Sequence, residues 1–275
     1  MKKLSSSFLI ILFMALLIIY NLVINNRTSK IEENKSITTS QKSTLNLNKT
    51  KNDTSINIKY LLGKFNPETD TNFVEIDLKH ANRKNLYLQK QTYEAFIKMH
   101  DDALKENIKL RIISATRTFD YQKWLWERKW TGKKLVNGKN LSTSIPDEKE
   151  RALEILKYSA MPGTSRHHWG TDIDINSVNN SYFSTNEGKK VYDWLQNNAR
   201  NYGFCQSYTP KNSTRPTGYE EEKWHWSYFP ISKIYLSEYR KHITYEHLTN
   251  FKGCQKAKDV NLIEDYVFSI NEDCN

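Results

Sequence analysis

The chain opens with an apolar run from Phe8 to Ile24 behind Lys2 and Lys3. Positive residues followed by an apolar stretch predict an export signal or a signal anchor. No small-residue cleavage site and no cysteine follow, so residues 1–25 are expected to stay as a membrane anchor, or to leave a secreted chain if cleaved. Residues 26–57 are polar and almost free of large apolar side chains, the pattern of a flexible, disordered tether. A folded domain is expected from Ile58 onward. Tyr93, Phe96, Ile97, Leu104 and Ile108 recur at helical spacing and predict a helix over 89–107. His100 falls near that stripe and reads as a boundary packing residue. "LRIISA" at 110–115 predicts a buried strand, and "FDYQKWLWERKW" at 119–130 a helix whose tryptophans serve the core. "VNGK" at 136–139 signals a tight turn. Residues 146–159 start with proline and acids and continue as a helix, and 187–203 form another, closed by Gly203. "KWHWSYF" at 223–229 alternates as a strand does. Helices and short strands mix without a βαβ rhythm, which predicts an α+β domain over 58–250. Residues 251–275 are expected as a C-terminal extension, a helix stapled over that domain.

Composition narrows the partners. The 275 residues carry a net charge of +10, and the 38% hydrophobic content supports a sizeable core. A basic surface favours anionic partners, but the lysines are scattered and no nucleic-acid motif accompanies them, so nucleic acid is not expected. Cys205, Cys254 and Cys274 allow three pairings with one thiol left over, in a compartment outside the cytoplasm that permits disulfides. The spacing does not choose among them. A monomer is expected.

The chemistry gathers in "SRHHWGTDID" at 165–174, where His167, His168, Asp172 and Asp174 all suit a metal. A catalytic zinc takes three protein ligands and leaves one position open. On an unbroken strand His168, Asp172 and Asp174 share a face. A bend at Gly170 would bring His167 to Asp174 instead. Spacing alone leaves both arrangements open. "EEKWHW" at 221–226 offers His225 as the third ligand. It also offers Glu222 as a general base, provided the chain turns just before the strand. "HITYEH" at 242–247 fits no zinc motif and reads as a solvated helix face.

Three motifs together resemble the VanY-like D-alanyl-D-alanine carboxypeptidases of the LAS zinc peptidases. "SRHHWGTDID" matches their S-x-H-x-x-G-x-A-x-D, "EKWH" at 222–225 their E-x-W-H, and "SATRTFDYQ" at 114–122 a strand ending in S-x-x-R before a helix carrying Gln. The order is also the family's, over roughly residues 85–235. The resemblance implies a small central antiparallel sheet carrying a zinc site, flanked by helices, as in LAS and hedgehog-type folds. It implies Zn²⁺ held by His167, Asp174 and His225, with Glu222 as general base and Arg117 stabilising the oxyanion. Ser165 and Gln122 would position substrate, and His168 would be a rim or supporting residue. The implied function is removal of terminal D-alanine from peptidoglycan stem peptides by a membrane-tethered, extracytoplasmic enzyme. L,D-carboxypeptidase or cross-link endopeptidase activity, or a non-catalytic zinc-containing wall-binding module, would use the same scaffold. Asp172 departs from the family's small residue and leaves fine specificity open.

Overall fold

A computed structural model describes residues 57–275. The expected anchor and tether lie outside these residues, apart from Asn57. Among the described residues no helix is long and apolar enough to cross a membrane. The helices are α1 (Ile58–Leu61), α2 (Lys90–Lys105), α3 (Phe119–Trp130), α4 (Leu141–Ser144), α5 (Glu148–Leu156), α6 (Asn186–Asn198) and α7 (Phe229–His242). The strands are β1 (Phe73–Glu75), β2 (Tyr87–Gln89), β3 (Ile112–Ser114), β4 (Asp172–Ile175), β5 (Phe204–Gln206) and β6 (His225–Tyr228). β1 and β2 pair by themselves, and the others form a four-stranded antiparallel sheet in the order β3-β4-β6-β5. The fold is α+β.

Side chains alternate across a strand, and this sheet uses the alternation to separate chemistry from packing. Ile173 and Ile175 of β4 and Trp226 of β6 enter an apolar cluster with Phe96 and Met99 of α2 and Trp194 of α6. Asp172 and Asp174 alternate with those isoleucines. Across the ladder Asp172 pairs with Ser227 and Asp174 with His225, so all four share the opposite face. A second cluster joins Trp126 and Trp130 of α3, Leu156 of α5 and Tyr239 of α7 to the end of the chain.

The local signals explain the element ends. Thr118 caps α3, its side chain accepting from the Tyr121 N–H, and Thr185 caps α6 by accepting from Gly188. α6 ends in a 3₁₀ turn, and Gly203 closes it at φ +83°. The buried line of α2 runs through Phe96, Met99 and Ala103, so Leu104 falls off the stripe expected for it and is 48% exposed. Trp124 is likewise not core: it is 50% exposed and stacked on Tyr121, because α3 buries only the face carrying Phe119, Gln122, Trp126 and Trp130. Residues 251–275 are short 3₁₀ and π turns, not one helix. Phe251, Val260, Leu262, Val267 and Ile270 still bury in the second cluster, and a Cys205–Cys274 disulfide ties this segment to β5. Cys254 is the free thiol.

Candidate metal centre and pocket

His167 sits in the 3₁₀ turn Arg166–Trp169 just before β4. Gly170 ends that turn at φ +72°, where a Cβ would stand 2.3 Å from the Phe73 ring. Only glycine passes there, and the bend it allows brings His167, not His168, to Asp174. Glu222 reaches the same place through a turn closed by the His225 N–H donating to the Glu222 carbonyl at 3.2 Å.

His167, Asp174 and His225 converge, all buried, with one candidate ligand atom of each within 4.8 Å of the others. In each case the other polar atom is already engaged. His167 Nδ1 bonds the Ala115 carbonyl at 2.8 Å, a contact that requires the nitrogen to donate and leaves Nε2 with its lone pair. His225 Nε2 lies 2.8 Å from Asp172 Oδ2. Asp174 Oδ2 accepts from Arg117 Nη2 at 2.5 Å. The remaining Asp174 Oδ1 is buried without a hydrogen-bond partner. It stands 3.3 Å from His167 Nε2 and 3.5 Å from His225 Nδ1. Metal–ligand bonds of about 2.1 Å in a tetrahedron put ligand atoms about 3.4 Å apart. An orphaned carboxylate oxygen, two imidazole nitrogens and this spacing suit a divalent cation such as zinc.

Electrostatics favour the same occupant. Burial alone would lower His225, but its hydrogen bonds to Asp172 and Glu222 carry it up to about 9. Burial would raise Asp174, yet the charges of His167 and Arg117 hold it below the usual carboxylate range. Burial raises Glu222 above that range. Arg166 and Arg117 each pair with one of the three carboxylates around His225, which leaves room for one further positive charge at the ring. A metal ion taking the place of the His225 proton would release it on binding.

Asp172 is fully buried and points inward. Arg166 Nε donates to its Oδ2 at 3.0 Å, and the Ser227 hydroxyl to its Oδ1 at 2.9 Å. It fixes the His225 ring through Nε2, as metal-binding histidines generally require of a supporting carboxylate. Arg117 is held by Ser114 Oγ at 2.9 Å as well as by Asp174. Arg117, Gln122, Ser165 and Glu222 line one pocket with the three converging residues. Gln122 donates to the Ala160 carbonyl at 2.8 Å, while its buried Oε1 has no partner. Tyr208 and Tyr219, from the long β5–β6 loop, also line the pocket, and no spacing in the sequence singled them out.

His168 is not at the rim. It is 0% exposed, with Nε2 accepting from the Gly163 N–H at 3.0 Å and Nδ1–H donating to the Arg117 carbonyl at 2.6 Å. Burial lowers its pKa to about 4. The folded value lies below the unfolded value near 6.5, so the unfolded chain binds the extra proton. The stability this neutral ring contributes is complete above about pH 6.5 and is lost as pH falls toward 4. In urea melts of zinc-free protein, the advantage of wild type over His168→Gln should shrink by about 2 kcal/mol between pH 7 and pH 5. A pH-independent difference would refute the assignment.

The family described as VanY, D-alanyl-D-alanine carboxypeptidase, matches residues 85–231. YodJ of Bacillus subtilis (strain 168), a carboxypeptidase by assignment, is 31% identical over 181 residues, covering 63% of this chain and 58% of that protein. A D-alanyl-D-alanine carboxypeptidase of Enterococcus faecalis (strain ATCC 700802 / V583) is 40% identical over 85 residues, 30% of each chain. The chain thus spans less than two thirds of the length of these curated relatives. A solved structure of the vancomycin-resistance D,D-pentapeptidase VanY with Zn(II) is 22% identical, covers 67% of this chain and 93% of its own, and superposes with a TM-score of 0.44. With more than half of its length matched, the chain belongs to the VanY D-alanyl-D-alanine carboxypeptidase family.

Proposed function

We propose that this protein is a zinc-dependent D,D-carboxypeptidase that removes the terminal D-alanine of peptidoglycan stem peptides outside the cytoplasm, held at the membrane by its N-terminal apolar segment. The observation that carries the reading is the unpartnered Asp174 Oδ1, facing His167 Nε2 and His225 Nδ1, with Glu222 Oε2 3.3 Å from the same His225 nitrogen. His167, Asp174 and His225 hold the ion. Bound there, Zn²⁺ supplies a Lewis acid that polarises the scissile carbonyl and acidifies water.

The chain's own residues do the rest. Glu222, raised by burial, accepts a proton from the attacking water as its oxygen bonds to the carbonyl carbon. Arg117, fixed by Ser114 and Asp174, faces the negative charge that develops on the carbonyl oxygen. Glu222 returns the proton to the amide nitrogen as the C–N bond breaks, giving a shortened peptide acid and free D-alanine. Ser165 and Gln122 orient the peptide along the wall of the pocket. Asp172 and Ser114 position His225 and Arg117 and do not touch substrate.

The test is incubation of zinc-loaded protein with a synthetic pentapeptide stem ending in D-Ala-D-Ala, read by mass spectrometry. Loss of a single alanine is expected. Release of D-alanine from the tetrapeptide alone would replace the reading by an L,D-carboxypeptidase. Zinc bound in stoichiometric amount with no substrate cleaved would leave a wall-binding module.

A further inference from the structure

Two cations that line the pocket, Arg83 and Lys129, are not used by this mechanism; Arg83 is exposed and belongs to no helix or strand, whereas Lys129 sits on a helix. Lys129 lies on α3 seven residues after Gln122, and Gln122, Leu125 and Lys129 turn the same helix face to the pocket. The acids that share this space are engaged elsewhere. Asp174 pairs with Arg117 and Glu222 with His225. Lys129 donates only to a neutral group, the Ser159 hydroxyl, and forms no ion pair among the described residues. Burial, and then the charge of Arg117, lower its pKa to about 8 against the opposing charge of Glu222, which acts on it without pairing with it.

The placement of Lys129 beside Gln122 narrows the missing partner. Its ammonium ends on Ser159 and the Gln122 amide ends on Ala160, the next residue. One wall therefore carries a hydrogen-bond donor cation and, just beneath its surface at Gln122 Oε1, a buried acceptor that has no partner among the described residues. A C-terminal amino-acid residue offers the complement, an amide N–H and a carboxylate separated by one carbon. An internal residue offers the N–H without the charge.

We propose that Lys129 binds the free carboxylate of the substrate's leaving residue, with Gln122 Oε1 accepting its N–H, and so restricts this site to chain ends. The inference rests on the carboxypeptidase reading. It makes Lys129 a specificity residue, and it argues against an endopeptidase, whose substrate would bring no counter-ion to the ammonium.

Zinc-loaded Glu222→Gln protein, which separates binding from hydrolysis, would be titrated with N-acetyl-D-Ala-D-Ala and with its C-terminal amide. A third probe, N-succinyl-D-Ala-D-alaninamide, carries its carboxylate at the other end. The acid should bind about 10- to 100-fold more tightly than the amide. Lys129→Met in the same background should abolish that preference, Lys129→Arg should keep most of it, and the succinyl probe should not respond to either change. Zinc stoichiometry and the near-ultraviolet dichroism spectrum check that the variants fold, and Lys129→Gln serves if the methionine variant does not. An acid preference that survives loss of Lys129, or one that is lost only for the succinyl carboxylate, overturns the proposal. Acid preference that depends on Lys129 in a protein whose Glu222 form hydrolyses nothing would sustain this inference while the carboxypeptidase reading failed.

Discussion

Asp172→Ala should lower the stability of the zinc-free protein by about 3–5 kcal/mol and weaken zinc binding about 10- to 100-fold. Two causes act together. Arg166 is 1% exposed, with Asp172 as its only ionic partner among the described residues, and truncation leaves that charge buried and uncompensated. Its guanidinium already has one nitrogen without a partner among the described residues and lies over the Trp169 ring. The second cause is the His225 ring, which loses the acceptor at Nε2 that directs Nδ1 to the metal position. Asp172→Asn keeps the shape and an acceptor but loses the charge, and should fall between wild type and alanine on both scales. Urea melts with chelator present give the first number, and competition with a chromophoric zinc chelator gives the second. A melt within about 1 kcal/mol of wild type would show that the buried network contributes little.

Glu222→Gln should reduce hydrolysis by about 10²–10⁴-fold while zinc stays bound at one equivalent. The substitution preserves size and hydrogen bonding next to His225 and removes only the capacity to accept a proton. The carboxylate is 6% exposed, so bulk water does not replace it readily. Single-turnover assays with metal analysis on the same samples decide the matter. A variant that retains activity within about tenfold of wild type would move the proton acceptor elsewhere, and one that loses its metal would make Glu222 a ligand.

Much of this arrangement could be read along the chain, and the rest could not for identifiable reasons. The bounds of α3 follow from a capping threonine and the apolar pattern, both local. The convergence of His167, Asp174 and His225 came through three motifs in order, because each motif carries its own bend or turn: Gly170 for one, the 222–225 turn for another. Along the sequence Asp172 reads as a possible ligand and as a departure from a pattern, not as the support of His225. Its meaning depends on Arg166 and Ser227, and Ser227 becomes its neighbour only through the β4–β6 register. His168 reads as either a rim or a supporting residue, and the sequence leaves that open because its two partners, Gly163 and the Arg117 carbonyl, are backbone groups that no side-chain pattern announces. Lys129 looks like any lysine on a helix until Ser159 and Ala160 are brought alongside.

The sheet register has a consequence for how such an enzyme can change. Asp174 faces His225, and Ser114 faces Asp174, as direct neighbours on adjacent strands. The converging side chains are therefore spaced by backbone ladders, whereas much of the surrounding pocket wall comes from α3, the 158–165 loop and the β5–β6 loop. Substitutions in those segments leave the strand register untouched, while a one-residue slip of β4 against β6 would turn Asp172 and Asp174 toward the apolar cluster. Change in this scaffold is thus easier at the pocket wall than in the ladder that spaces its converging side chains.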